Sequence, residues 1–299
     1  MAADFTMLSA VPKGNLDAIV ADHDGFLFDA FGVLNDARGA LPGAVDLVQY
    51  LRSTRKPFFV ITNGAAHTAA VRVATFQAMG LRFDIEQIIS SGEVLGAYLA
   101  GNNLAGKSAV VLGPAGAQSY VTHAGLRVIP HSEARAADVI IVTDQSGFDF
   151  VAAVDDVLSA LFMRIDEDPV ATPLLLLANP DLYYPAGSGR VGMTSGLVAS
   201  LLDSALRFRY GADAPAFVPL GKPHAPIFAE AARRAGTTNL VMFGDQVQTD
   251  IRGAIAFGMA AVLVGGGLTN LESKLPPSFA RGDVPTWWIP DLVMHRSGR

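Results

Sequence analysis

The chain of 299 residues has no cysteine. Disulfide bridges and thiolate catalysis are therefore excluded, although that absence alone does not fix the cellular compartment. Charged residues are sparse at 17%, and the formal net charge is −6. Lysine and arginine form no cluster or stripe, which argues against nucleic acid and anionic membrane as partners. No apolar run approaches the ~18 residues that a membrane helix needs. The opening stretch, MAADFTMLSAVPKGNL, lacks a basic start followed by an apolar run. No secretory signal is expected from it, and a cytoplasmic location is the default. The six histidines are scattered without metal-ligand spacing. No G-x-S-x-G elbow occurs, no internal repeat of fixed period, and no low-complexity segment.

What is abundant is apolar material, at 51% of the residues. That suits one large core or two smaller ones and argues against disorder. Short apolar runs alternate with helical patterns. GFLFDAF, PFFVITNG, SAVVLG, VIIVTD, LLLLANP and LVMFGD read as strands. GAVDLVQYLRST, HTAAVRVATFQAMG and APIFAEAARRAG read as amphipathic helices. Strands that are apolar throughout, and bounded by Gly, Asn or Asp, suit a parallel sheet covered on both faces. The fold class is α/β.

In such sheets ligands bind beyond the carboxyl ends of the strands. The residues that follow each strand are therefore the informative ones. Asp29 follows FLF, Thr62 and Asn63 follow FFVI, and Asp245 follows LVMFG. Lys222 sits in PLGKP, just before the helix APIFAEAARRAG. Two carboxylates, a hydroxyl and an ammonium are thus expected on one sheet edge. One carboxylate can be a nucleophile, and two together favour a cation for which oxygen ligands suit Mg²⁺. Lysine and a hydroxyl suit phosphate oxygens. The set is consistent with phosphoryl transfer through an aspartyl-phosphate.

The order D-x-x-G-V-L at 29–34, T-N at 62–63, G-K-P at 221–223 and G-D-x-x-x-x-D at 244–250 resembles the haloacid dehalogenase superfamily. PGAVDLV at 42–48 and GDQVQTDIRGA at 244–254 look like its class IIA branch of nitrophenylphosphatase-like, pyridoxal-phosphate and sugar-phosphate phosphatases. The resemblance implies a doubly wound parallel-sheet core with an inserted α/β cap. The core would span 1–103 and 216–299 and the cap 104–215. It also implies roles. Asp29 would be the nucleophile and a ligand of Mg²⁺, with the Phe31 carbonyl and Asp245 as further ligands and Asp250 supporting the metal. Thr62 and Asn63, with Gly64 beside them, would hold phosphate oxygens. Lys222 would neutralise the nucleophile and the phosphoryl group. A small phosphorylated metabolite would be the substrate, and this branch often pairs as homodimers through its caps. The rival aspartate of ADHDG, Asp22, is followed by FLF rather than by a flap, and reads as part of a turn leading into the strand.

The chain departs from the family at Phe31. The usual D-x-D motif has an aspartate there, which protonates the leaving oxygen and then activates water. General acid–base help of this kind is worth ~10²–10⁴-fold, so slow turnover on alkyl esters is expected unless another group substitutes; Asp36 and His67 are candidates. The aromatic also resembles the D-x-Y-G-T-L of the true dehalogenases, whose aspartate attacks carbon without a metal. Retention of Asp245 and Asp250 ranks that reading lower. A phosphometabolite-binding protein without turnover is a third reading. Tyr184, in ANPDLYYPAGSGR at 178–190, stands where related phosphatases place a substrate-contacting histidine; an ordinary Gly/Pro loop with a buried tyrosine is the competing expectation. Asn179 and Asp181 are candidates for capping a turn there.

Overall fold

The computed structural model of the chain describes residues 5–185, 190–265, 278–280 and 282–295. Residues 186–189 of the Gly/Pro stretch, and the first four residues of the N-terminal segment, lie outside that set. The chain forms two compact units: residues 1–62, 69–89 and 222–299, and residues 63–68 and 90–221.

The first unit is built on a six-stranded sheet. Its order is Trp287–Ile289, Ala260–Val264, Leu240–Gly244, Gly25–Phe28, Phe58–Thr62 and Ile88–Ser90. Its pairings from Trp287–Ile289 across to Phe58–Thr62 are all parallel. GFLF, FFVIT and LVMFG are buried at every position. This explains why they read as continuous apolar runs rather than alternating ones: both faces of the sheet are covered. Phe28 and Phe243 stack across the central strand pair with centroids 5.0 Å apart. Leu47 and Leu51 of the helix Ala44–Thr54 belong to the same core. Each such side chain, taken from water to full burial, contributes ~1.5–3 kcal/mol.

The order of the sheet reverses between Gly25–Phe28 and Leu240–Gly244. From the first, the chain proceeds outward to Phe58–Thr62 and Ile88–Ser90. From the second, it proceeds outward on the other side to Ala260–Val264 and Trp287–Ile289. The carboxyl ends of these two central strands therefore form a topological switch point, where α/β sheets place ligands.

The second unit has its own parallel sheet, ordered Val218–Pro219, Leu174–Leu177, Val139–Val142, Ser108–Leu112 and Arg127–Ile129. The helices Phe150–Glu167 and Ser195–Tyr210 bury Val157, Leu161, Val198 and Leu202 in a separate core. Part of the stretch expected as a loop at 178–190 is a strand, Tyr183–Pro185, paired antiparallel with Val191–Met193. Two consecutive tyrosines favour extended backbone, which outweighs the turn signal of the neighbouring Gly and Pro. Tyr184 is 45% exposed, not buried. No helix among the described residues is long and apolar enough to cross a membrane.

Candidate active site

Asp29 is the first residue after the central strand Gly25–Phe28, and Asp245 the first after its neighbour Leu240–Gly244. The Asp29 backbone N–H donates to the Phe243 carbonyl at 2.9 Å, which extends the ladder by one residue and fixes Asp29 at the switch point. Lys222, three residues before the helix Ala225–Ala235, donates from Nζ to Asp29 Oδ1 at 2.7 Å and to Asp250 Oδ1 at 2.6 Å. Asp29, Asp245 and Asp250 each place a carboxylate oxygen within 4.8 Å of the others. All four side chains are buried. Four residues from three distant parts of the sequence thus converge on one sheet edge.

Asp250 arrives by an unusual turn. The backbone over Val247–Ile251 winds as a π-helix, a wide turn common at functional sites. It brings Asp250 back over the strand end, where its Oδ2 accepts from the Gln246 backbone N–H at 3.1 Å. Gly244 makes room for it. A Cβ at position 244 would stand 2.1 Å from the Asp250 Cβ, closer than any real packing allows. The glycine of GDQVQTD is therefore required by the close approach of Asp250.

The electrostatics follow from three buried carboxylates facing one ammonium. Burial opposes the charged form of Lys222, but Asp250 and Asp29 outweigh it and hold the lysine above its usual pKa. Burial drives the Asp250 carboxyl up to about 7; Lys222 pulls against that, and the Asp29 charge adds to it. The excess of buried negative charge, carried on oxygen donors, fits a small hard divalent cation such as Mg²⁺. Asp29, Asp245 and Asp250 are the residues that would hold it.

The remaining expected residues divide between the units. Thr62 ends the strand Phe58–Thr62 and is buried. Phe31, two residues beyond Asp29, is 41% exposed. The chain turns directly after it at Gly32, whose φ of 97° favours glycine, and whose N–H donates to the Asn35 carbonyl. Asn63, Gly64 and Tyr184 belong to the second unit. There Asn63 Nδ2 donates to Asp181 Oδ1 at 2.8 Å, and the Asn63 carbonyl accepts from Ser91 Oγ. Asn179 caps a turn, its Oδ1 accepting from the Asp181 N–H. The Asn63–Asp181 pairing was not foreseen; in the sequence, Asp181 signals only a turn.

Asp22 lies elsewhere. It ends the helix Leu16–Asp22, ahead of the amino end of Gly25–Phe28 and so at the opposite edge of the sheet from Asp29. Asp36 is held by Arg38, whose Nε and Nη2 donate to its Oδ2 at 2.9 and 2.6 Å. Those contacts lower the Asp36 pKa.

Two family models match the chain. Residues 26–127 match a model described as haloacid dehalogenase-like hydrolase, and residues 219–290 one described as HAD-hydrolase-like. A D-glycerol 3-phosphate phosphatase of Mycobacterium tuberculosis is 28% identical over 266 residues, which are 89% of this chain and 68% of that protein. Chronophin of Mus musculus is 28% identical over 288 residues, 92% of either chain. The crystal structure of a glycerol phosphate phosphatase from M. tuberculosis in complex with magnesium superposes with a TM-score of 0.75 at 23% identity, covering 93% of this chain and 79% of that one. The two models cover both halves of the switch-point sheet, and the chain belongs to the haloacid dehalogenase-like hydrolases, in their class IIA branch.

Proposed function

We propose that the chain is a Mg²⁺-dependent phosphomonoester hydrolase that acts on a small phosphorylated metabolite through an aspartyl-phosphate on Asp29. The observation that carries this reading is the buried cluster at the switch point, in which Lys222 bridges Asp29 and Asp250 beside Asp245. Phosphatases among its relatives support it.

A carboxylate that attacks a phosphate dianion faces like-charge repulsion. Two like unit charges about 4 Å apart repel by about 4 kcal/mol at an effective dielectric of about 20. Lys222 lowers that barrier: its ammonium anchors one oxygen of Asp29 and leaves the other to attack phosphorus. Mg²⁺, when bound by Asp29, Asp245 and Asp250 with the Phe31 carbonyl, supplies the remaining positive charge. Thr62, Asn63 and Gly64 hold phosphate oxygens. The inserted cap, residues 104–215, chooses the substrate, with Tyr184 as a contact. A metal-free halide displacement would have no use for two further buried carboxylates beside the nucleophile, so the dehalogenase reading lacks support in this cluster. The test is phosphate release from a panel of phosphate esters with Mg²⁺ and with chelator. Activity indifferent to the chelator would defeat the reading.

A further inference from the structure

Cleavage of a phosphate ester by Asp29 asks the site for two proton movements. In the first step an Asp29 oxygen bonds to phosphorus, the bond from phosphorus to the ester oxygen breaks, and its electron pair stays on the leaving oxygen. An alkoxide leaves only if protonated; a phenolate, enolate or carboxylate leaves as the anion. In the second step a water oxygen bonds to phosphorus, the Asp29–phosphorus bond breaks, and inorganic phosphate departs. That water is a poor nucleophile unless a base takes its proton.

Among its described residues at the sheet edge, the first unit holds no acid at liberty to protonate a leaving alkoxide. Lys222 already donates to two carboxylates. Asp245 and Asp250 are the buried carboxylates of the cation cluster, and Asp250 also accepts from the Gln246 N–H. Asp36 is held on both oxygens by Arg38, whose N–H bonds Oδ1 at 2.7 Å. His224 is part-buried at the start of the helix Ala225–Ala235, where burial favours the neutral imidazole, which has no proton to give a leaving alkoxide. Two residues beyond Asp29 stands an aromatic ring, Phe31, which carries no proton and is 41% exposed.

We infer that this site selects phosphate compounds whose leaving group departs as an anion, namely aryl, enol or acyl phosphates, and that release of the phosphoryl group from Asp29 to water is its slow step. The inference rests on the proposed role of Asp29. The exposed face of Phe31 is itself suited to a planar, conjugated leaving group, because flat π-systems stack on such a ring. The phosphorylated enzyme therefore accumulates during turnover of good substrates.

The test uses the full chain with Mg²⁺ and a series of substituted phenyl phosphates beside an alkyl phosphate, in rapid mixing with acid quench. The expected result has three parts. p-Nitrophenolate appears in a burst close to one equivalent of enzyme. The steady rate that follows is the same for all good leaving groups, and added hydroxylamine, which attacks the carbonyl carbon of an aspartyl-phosphate, expels phosphate and leaves a hydroxamate on Asp29, halts turnover after the burst. Alkyl phosphate turns over ~10²–10⁴-fold more slowly. Phe31→Asp should narrow the gap between the two ester classes and shrink the burst. The wild-type series decides the matter even if that variant folds poorly. Alkyl and aryl phosphates cleaved at similar rates, with no burst, would overturn the inference while leaving Asp29 as nucleophile. Turnover that survives in Asp29→Asn would instead overturn the underlying reading, and the inference with it.

Discussion

The Lys222 ammonium donates to Asp29 Oδ1 at 2.7 Å, joining two residues 193 positions apart in the chain. The same ammonium holds Asp250 at 2.6 Å. This bridge holds the Asp29 carboxylate in one orientation and sets a positive charge beside both aspartates.

Lys222→Met removes the bridge and leaves two buried carboxylates face to face. Breaking a buried pair from one side costs ~3–5 kcal/mol. We expect the unfolding free energy to fall by about that amount at neutral pH, read as a lower urea midpoint, together with loss of phosphatase activity. Lys222→Met combined with Asp250→Asn relieves one of the stranded charges and should regain part of the stability but none of the activity. Equal midpoints for the wild type and the single variant would contradict the bridge.

Gly244→Ala tests the close approach of Asp250. The added methyl would meet the Asp250 Cβ at 2.1 Å, and the π-turn must shift to admit it. Overpacking of this kind costs ~1–3 kcal/mol, and we expect a weaker response to Mg²⁺ as well, because Asp250 moves. An unchanged Mg²⁺ requirement would show that Asp250 contributes nothing to the cation.

A cation that binds only the folded chain stabilises it, by about 2.7 kcal/mol at a concentration of about a hundred times Kd. Thermal unfolding should therefore move upward with Mg²⁺ in the wild type. Asp245→Asn should abolish most of the shift. A full shift in that variant would place the ion elsewhere.

His224 gives a pH signature of its own. Burial lowers its pKa from the ordinary 6.5, so below that value the unfolded chain takes up a proton before the folded one does. The stability tied to neutral His224 is present above the unfolded pKa and fades as the pH falls through the folded one. Protonation of Asp250, whose carboxyl is pushed up to about 7, acts in the opposite direction on mild acidification, so the His224 contribution is read as a difference: the midpoint of His224→Gln should gain on that of the wild type as the pH falls. Parallel curves would contradict the assignment.

Much of this fold was legible because a parallel sheet leaves a simple trace. GFLF, FFVIT and LVMFG are buried on both faces, so they read as unbroken apolar runs, and the polar residue that ends each run falls at the sheet edge. Asp29, Thr62 and Asp245 were visible for that reason. The strand order, which makes Asp29 and Asp245 neighbours, depends on pairings between strands more than 200 positions apart, and local pattern does not encode those. The π-turn that delivers Asp250 and the Asn63–Asp181 hydrogen bond across 118 positions were hidden likewise: one is a subtle change of winding, the other a long-range contact. The strand Tyr183–Pro185 was masked by the Gly and Pro beside it.

The central claim is that Asp29 carries the phosphoryl group. The most direct measurement is mass spectrometry of acid-quenched enzyme caught in turnover of p-nitrophenyl phosphate, digested and mapped to peptides. The account predicts one added phosphoryl group on the peptide that contains Asp29, and none in Asp29→Asn. A phosphoryl group on another residue, or turnover in which no covalent species forms under any condition, would contradict it.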